Sequence, residues 1–162
     1  MKKLFLLSAL FIAGLAMSAN AQVVKDNAIG LRFGGGNGFG TEVSYQHGLS
    51  DLNRLEFDLG LVSHSDYTAW GLTGIYQWVW PLVEGFNWYV GPGAKIGSWD
   101  YKSSYTGSSS SGLYLAAAGD IGIEYSWPFG LQLGLDMRPE LGLLNHGDSF
   151  DFNLGLGIRY QF

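Results

Sequence analysis

From Phe150 to the carboxylate the chain alternates without a break. Phe150, Phe152, Leu154, Leu156, Ile158, Tyr160 and Phe162 share one parity, and Asp151, Asn153, Gly155, Gly157, Arg159 and Gln161 share the other. Successive side chains of a strand point to opposite faces, so this segment predicts a strand with one oily and one wet face. The period of two recurs along the chain, while nothing after residue 21 sustains a 3.6-residue period. Eight strands are predicted, near residues 28–35, 39–49, 54–64, 69–80, 87–98, 113–127, 130–143 and 149–162. Several approach or exceed the roughly 9–11 residues that a tilted strand needs to cross a bilayer.

The connections alternate in kind. Ser50 to Asn53, Pro81 to Phe86 and Trp127 to Gly130 are compact and carry turn residues. Between them fall Gly34 to Gly38, Ser65 to Thr68, the long stretch 98–112 and Asn145 to Asp148. Short turns at one end and longer loops at the other describe an outer-membrane barrel with its long loops extracellular. Pro92 and Pro139 fall inside predicted strands and lack the N–H a ladder uses, so a bulge or kink is expected at each.

Alternation alone does not say which face is inside. Strand seven sets Leu131, Leu133, Leu135, Met137, Pro139, Leu141 and Leu143 against Gln132, Gly134, Asp136, Arg138, Glu140 and Gly142. Eight strands enclose a space just wide enough for side chains to fill. Glycines interleaved with charges fit it better than a full set of leucines and aromatics. The same division sets Leu55, Phe57, Leu59 and Leu61 against Arg54, Glu56, Asp58 and Gly60, and Val43 and Tyr45 against Glu42, Ser44 and Gln46. The expected interior polar network is therefore Arg32, Glu42, Glu56, Asp58, Lys95, Asp120, Glu124, Asp136, Arg138, Glu140, Asp151 and Arg159. Trp78, Trp80, Trp88, Trp127 and Tyr125 flank the compact turns and suit a membrane interface. Phe33, Phe39, Trp70, Phe150 and Phe152 are candidates for the opposite girdle.

The front end adds an address. Lys2 and Lys3 precede an apolar run from Leu4 to Met17, followed by the small-residue site Ala19-Asn20-Ala21. Residues 1–21 are thus expected to be a cleaved signal peptide, too short to be a retained membrane helix, leaving 22–162 as one domain. Cysteine is absent, which excludes disulfide staples, thiol catalysis and cysteine metal clusters. The formal net charge of −5, without a basic stripe, argues against nucleic acid as a partner.

The signal segment, the eight amphipathic strands and the terminal Leu154, Leu156, Ile158, Tyr160 and Phe162 together resemble the small bacterial outer-membrane β-barrel family of the OmpA-barrel and OmpX-like kind. The resemblance implies an all-β, eight-stranded, antiparallel, up-and-down transmembrane barrel in the outer membrane of a Gram-negative bacterium, with both termini periplasmic. It also implies that the C-terminal pattern is the assembly signal read by the barrel-insertion machinery, and that outer-membrane lipids surround the protein.

For function, the interior charges suggest a salt-bridged plug, because isolated ions there would be costly to desolvate. A structural or surface-interaction role without catalysis follows, with no cofactor or metal and with the chain acting as a monomer. The alternatives are a narrow porin-like or OmpW-like channel for small solutes or hydrophobic molecules, a lipid-modifying barrel enzyme, and a soluble periplasmic barrel. His64 beside Ser65 and Asp66, and His146 with Asp148 and Ser149, only superficially suggest a hydrolase. The His-x-Ser strand motif of lipid A deacylase barrels is not reproduced. His47 is expected near an interface. Gly34 to Gly40 reads as a hairpin rather than a phosphate cradle, since no helix follows it. The loop 98–112, with Trp99, Tyr101, Tyr105 and the serines 108–111, has linker character. Its tyrosines and serines also suit contact with an extracellular ligand.

Overall fold

The computed structural model describes residues 24–35, 40–65, 67–101, 110–144 and 150–162, with backbone only at 101 and 110. The expected signal segment, Phe39, His146 and Ser149 lie outside the described residues.

Eight strands follow one another round a closed barrel: β1 (Asn27–Gly35), β2 (Thr41–Ser50), β3 (Asn53–Ser63), β4 (Tyr67–Val83), β5 (Phe86–Tyr101), β6 (Ser110–Ser126), β7 (Leu131–Leu144) and β8 (Phe150–Gln161). Each is antiparallel to its neighbours, and β1 closes on β8 from Ala28↔Gln161 to Gly35↔Leu154. The last residue is tied in as well. Asn27 N–H donates to the Phe162 carbonyl at 3.1 Å, and Phe162 N–H donates to the Asn27 carbonyl at 2.9 Å. Closure leaves no unpaired sheet edge.

The compact turns follow from local chemistry. Ser50 Oγ accepts from Leu52 N–H at 3.4 Å across the β2–β3 turn. Glycine carries the positive φ that the next two turns require, +79° at Gly85 and +98° at Gly130. The β4–β5 connection is tighter than its sequence suggests. β4 continues through Pro81 to Val83, and only Glu84 and Gly85 form the turn. At the other end, β5 and β6 reach Tyr101 and begin at Ser110, so Trp99 belongs to a strand and not to the long loop. Its ring lies 6.4 Å from that of Tyr114.

The proline expectation needs correction. Neither Pro92 nor Pro139 causes a register shift. The shifts fall between Gly48 and Ser50, Pro81 and Val83, and Leu115 and Ala116. Pro92 still pairs with Gly119 of β6, while the β4 ladder passes from Ile75↔Gly93 to Trp78↔Val90 in unchanged register. Pro139 still pairs with Phe152 of β8, while the β6 ladder passes from Ala118↔Glu140 to Ile121↔Met137. A strand residue turns its N–H to one neighbour only, so each proline costs one side of the ladder a donor and needs no extra residue.

The barrel is polar inside and apolar outside. The largest fully buried side chains begin with Arg32, Arg54, Arg138 and Arg159, whereas Leu135, Leu154, Phe152 and Tyr160 are each more than half exposed on the outer wall. An open groove of about 660 Å³ lies among outward side chains, including Trp88, Ile121, Ile123, Leu135, Met137 and Leu156. In water so large an apolar surface would be unfavourable. In lipid it is the natural solvent face, and closure satisfies the backbone that lipid cannot.

Candidate functional site: the charged lumen

Strand parity aims the polar side chains inward, and their reach across the lumen links strands that do not touch. Nearest the compact turns, Arg54 of β3 grips Glu124 of β6 with both Nη atoms, at 2.9 and 2.7 Å. Its Nε donates to Gln77 Oε1 at 2.6 Å, and its guanidinium lies 4.9 Å from the centre of the Tyr89 ring. This fork is a bidentate pair in which both carboxylate oxygens are satisfied.

At mid-barrel Glu56 is the hub. It lies 3.1 Å from Arg138 Nη2 and 3.0 Å from Arg159 Nη2. It also accepts from Gln46 at 2.6 Å and Gln77 at 3.2 Å. Arg138 reaches Asp58 at 2.8 Å, and Arg159 Nε donates to Ser44 Oγ at 2.8 Å. Arg32 of β1 crosses the lumen to Asp136 of β7, and it also donates to Glu42 at 3.0 Å and Asn153 at 3.2 Å. Toward the loops, Lys95 Nζ donates to both oxygens of Glu140, at 3.0 and 2.9 Å.

Glycines make room for these cations. A Cβ on Gly155 would stand 2.4 Å from Arg32 Nη2, and one on Gly157 would stand 2.4 Å from Arg159 Nη1. The flat guanidinium groups lie where β8 carries no side chain. Lumen glycines and arginines are therefore one packing unit, which is why they alternate along the same face.

Of the twelve interior residues expected from the sequence, eleven are buried, and Asp151 is half-buried at the loop end of β8. Arg54 belongs with them and was left out of the expected network, although its parity placed it on the polar face of β3. Ser44, Gln46 and Asn153, though of the polar parity, were not counted in the network, and Gln77 and Asn87 were missed although strand parity could have found them. They matter because, among the described residues, the buried interior holds seven carboxylates and five cations. With fewer cations than carboxylates, amide and hydroxyl groups must complete the network. Asp120 shows this best: among the described residues no cation lies within ion-pair distance, and Gln77 Nε2 donates to it at 2.5 Å. Among the described residues no three His, Asp or Glu side chains are grouped as a metal ion would need.

On the outer wall, Trp80 and Trp88 stack at 4.6 Å, and Tyr125 lies 4.5 Å from both Phe86 and Trp127. Phe150 and Phe152 meet edge to face at 4.6 Å at the loop end. His47 Nδ1 lies 3.1 Å from Asn27 Oδ1, which also accepts from Tyr45 Oη at 2.7 Å. The His64 ring stacks on Tyr67 at 5.0 Å, away from the lumen charges.

A closed eight-stranded meander, oily outside and ionic inside, has the fold of the small outer-membrane barrels. Comparison with solved structures gives the same class. The chain is similar to the N-terminal β-barrel domain of Pseudomonas aeruginosa OprF, with a TM-score of 0.68 and 15% identity over 85% of this chain and 98% of that one. It is similar to Ail, the attachment invasion locus protein of Yersinia pestis, with a TM-score of 0.57 and 16% identity over 84% and 96% of the two chains. Neisserial surface protein A follows with a TM-score of 0.56 and 12% identity over 84% and 94%. No family model matches the sequence, and no curated protein matches it. At these identities the likeness is one of architecture.

Proposed function

We propose that this chain is an integral outer-membrane protein whose barrel is a closed, non-conducting scaffold and whose loops carry a structural or surface-interaction role without catalysis. The observation that carries this reading is the Glu56 hub. Arg138 from β7 and Arg159 from β8 meet a β3 carboxylate across the lumen, so guanidinium groups occupy the axis where a conducting barrel would hold water. The three solved barrels it resembles are outer-membrane proteins, which supports the location.

In this reading export depends on residues 1–21, both termini face the periplasm, and the barrel acts as a monomer. The C-terminal residues Leu154, Leu156, Ile158, Tyr160 and Phe162 serve as the address for the insertion machinery. Loop 98–112 is the first place to seek an extracellular ligand, and outer-membrane lipid surrounds the inserted barrel.

The test is single-channel recording of the mature barrel refolded into a planar bilayer, with folding checked by heat-dependent gel mobility. A folded barrel that stays silent, and conducts only when Arg138→Ala removes part of the hub, supports the closed scaffold. Discrete steps from the unmodified barrel would replace this reading with a narrow channel.

A further inference from the structure

One row at the compact-turn end of the lumen stands apart from the ion pairs above it. Ser126 of β6, Gln132 of β7 and Arg159 of β8 lie side by side in the ladder, through the pairings Ser126↔Gln132 and Gln132↔Arg159. Their exposures are 2%, 0% and 1%. Among the described residues Ser126 Oγ, Gln132 Oε1 and Nε2, and Arg159 Nη1 have no hydrogen-bond partner. Asp58, Asp120 and Arg138 also carry an unpartnered atom, but each is bonded through another, whereas the side chains of Gln132 and Ser126 have no bonded atom. A buried polar group without a partner is costly. Four such atoms on neighbouring side chains mark a place built to receive something polar.

The wall beside this row leaves room. Gly134 is the next inward residue of β7, opposite Glu124 and Gly157. At Gly122 and Gly157 an added Cβ would stand 2.5 Å from Tyr89 Oη and 2.4 Å from Arg159 Nη1, so those side chains already fill the space. At Gly134 the nearest atoms to a Cβ would be Arg159 Nη1 and Tyr89 Oη, each at 3.6 Å, and the Glu124 Cβ at 3.7 Å. A small molecule resting against Gly134 reaches farther into the lumen than a Cβ, toward both polar atoms.

The chemistry of the lining selects the occupant. Arg159 Nη1 only donates, Gln132 offers a donor and an acceptor whichever way its amide is turned, and the hydroxyls of Ser126 and Tyr89 do either. The occupant must therefore both accept and donate. A halide could not serve the amide oxygen, and it would add negative charge where, among the described residues, seven carboxylates already outnumber five cations. A metal cation would meet the Arg159 guanidinium. We propose that Ser126, Gln132, Arg159 and Tyr89 form an internal water site beside Gly134, and that its ordered water completes the turn-side end of the plug. The plug then has two ends of different kind. Toward the loops Lys95 bonds Glu140 directly, and toward the compact turns Arg159 is held in part by water. The site rests on the packing of the lumen and not on silence in the bilayer recording.

Two substitutions and one direct measurement on the full barrel test it. Gln132→Met keeps the length of the side chain and removes the amide. With water in place it should lower the folding constant, read by urea unfolding in lipid vesicles, about threefold to tenfold. In a dry site it removes a buried amide that has no partner, and the constant should rise. Gly134→Ala divides the outcomes in the same way, since its methyl fits by contact distance and should stabilise a dry lumen but displaces a bound water. In the unmodified barrel in nanodiscs, NMR should show dipolar transfer from a long-lived water to the Gln132 side-chain NH2, a reading that stands even where a variant fails to fold. Exchange of chloride for gluconate at constant ionic strength should leave the urea midpoint unchanged. Stabilisation by either substitution, no water signal at a resolved Gln132 amide, or a midpoint that tracks chloride overturns the proposal.

Discussion

Glu56→Ala is the sharpest perturbation of the lumen. The carboxylate is within 3.1 Å of Arg138 and 3.0 Å of Arg159, and it accepts from Gln46 and Gln77. After truncation Arg138 keeps Asp58 at 2.8 Å, whereas among the described residues Arg159 keeps the Ser44 hydroxyl as its one hydrogen-bond partner and no carboxylate within ion-pair distance. The damage is therefore concentrated on one buried cation. Removing one partner of a buried ion pair costs about 3–5 kcal/mol, because the survivor remains desolvated. Glu56→Gln preserves shape and one acceptor and should cost less, about 1.5–3 kcal/mol, the worth of a hydrogen bond to a charged group. Urea unfolding of the barrel in lipid vesicles, followed by tryptophan fluorescence and gel mobility, measures both. If the orphaned Arg159 is the cause, Glu56→Ala should lose most of its effect in an Arg159→Met background. A loss below about 1 kcal/mol, or the same loss in both backgrounds, would refute the reasoning.

Four further outcomes follow from the two faces of the sheet. Gly155→Ala drives a methyl into the Arg32 guanidinium and should destabilise by about 1–3 kcal/mol. Gly74→Ala should be nearly neutral in the same unfolding assay, because its new Cβ meets the Phe57 ring at an ordinary 3.5 Å. Leu135→Arg on the outer wall should cost about 2–4 kcal/mol in vesicles if that face lies near the middle of the bilayer. A neutral result would remove that surface from lipid. Phe162→Ala should barely alter stability in vitro, since its ring is 61% exposed and its ladder bonds are made by the backbone. Membrane fractionation of cells should nevertheless show less assembled barrel if the terminal aromatic is an insertion address, and unchanged levels would deny it that role.

The sequence alone determined the strands and their two faces. A strand reverses its side chains every residue, so Leu131 to Leu143 against Gln132 to Gly142 needed no tertiary knowledge to be divided. The glycines and charges of one parity also indicated which face was inside, because an eight-stranded lumen has a fixed and small capacity. Parity could have included Arg54 and Gln77 among the interior groups, but it says nothing about partners. Arg32 and Asp136 are 104 residues apart, and only closure of β1 on β8, with the stagger of the strands, brings their side chains together. The prolines show the same limit. Composition marks Pro92 and Pro139 as missing donors, but whether that loss bends a strand or leaves a gap depends on which neighbour each N faces. That direction is set by the register of the assembled sheet.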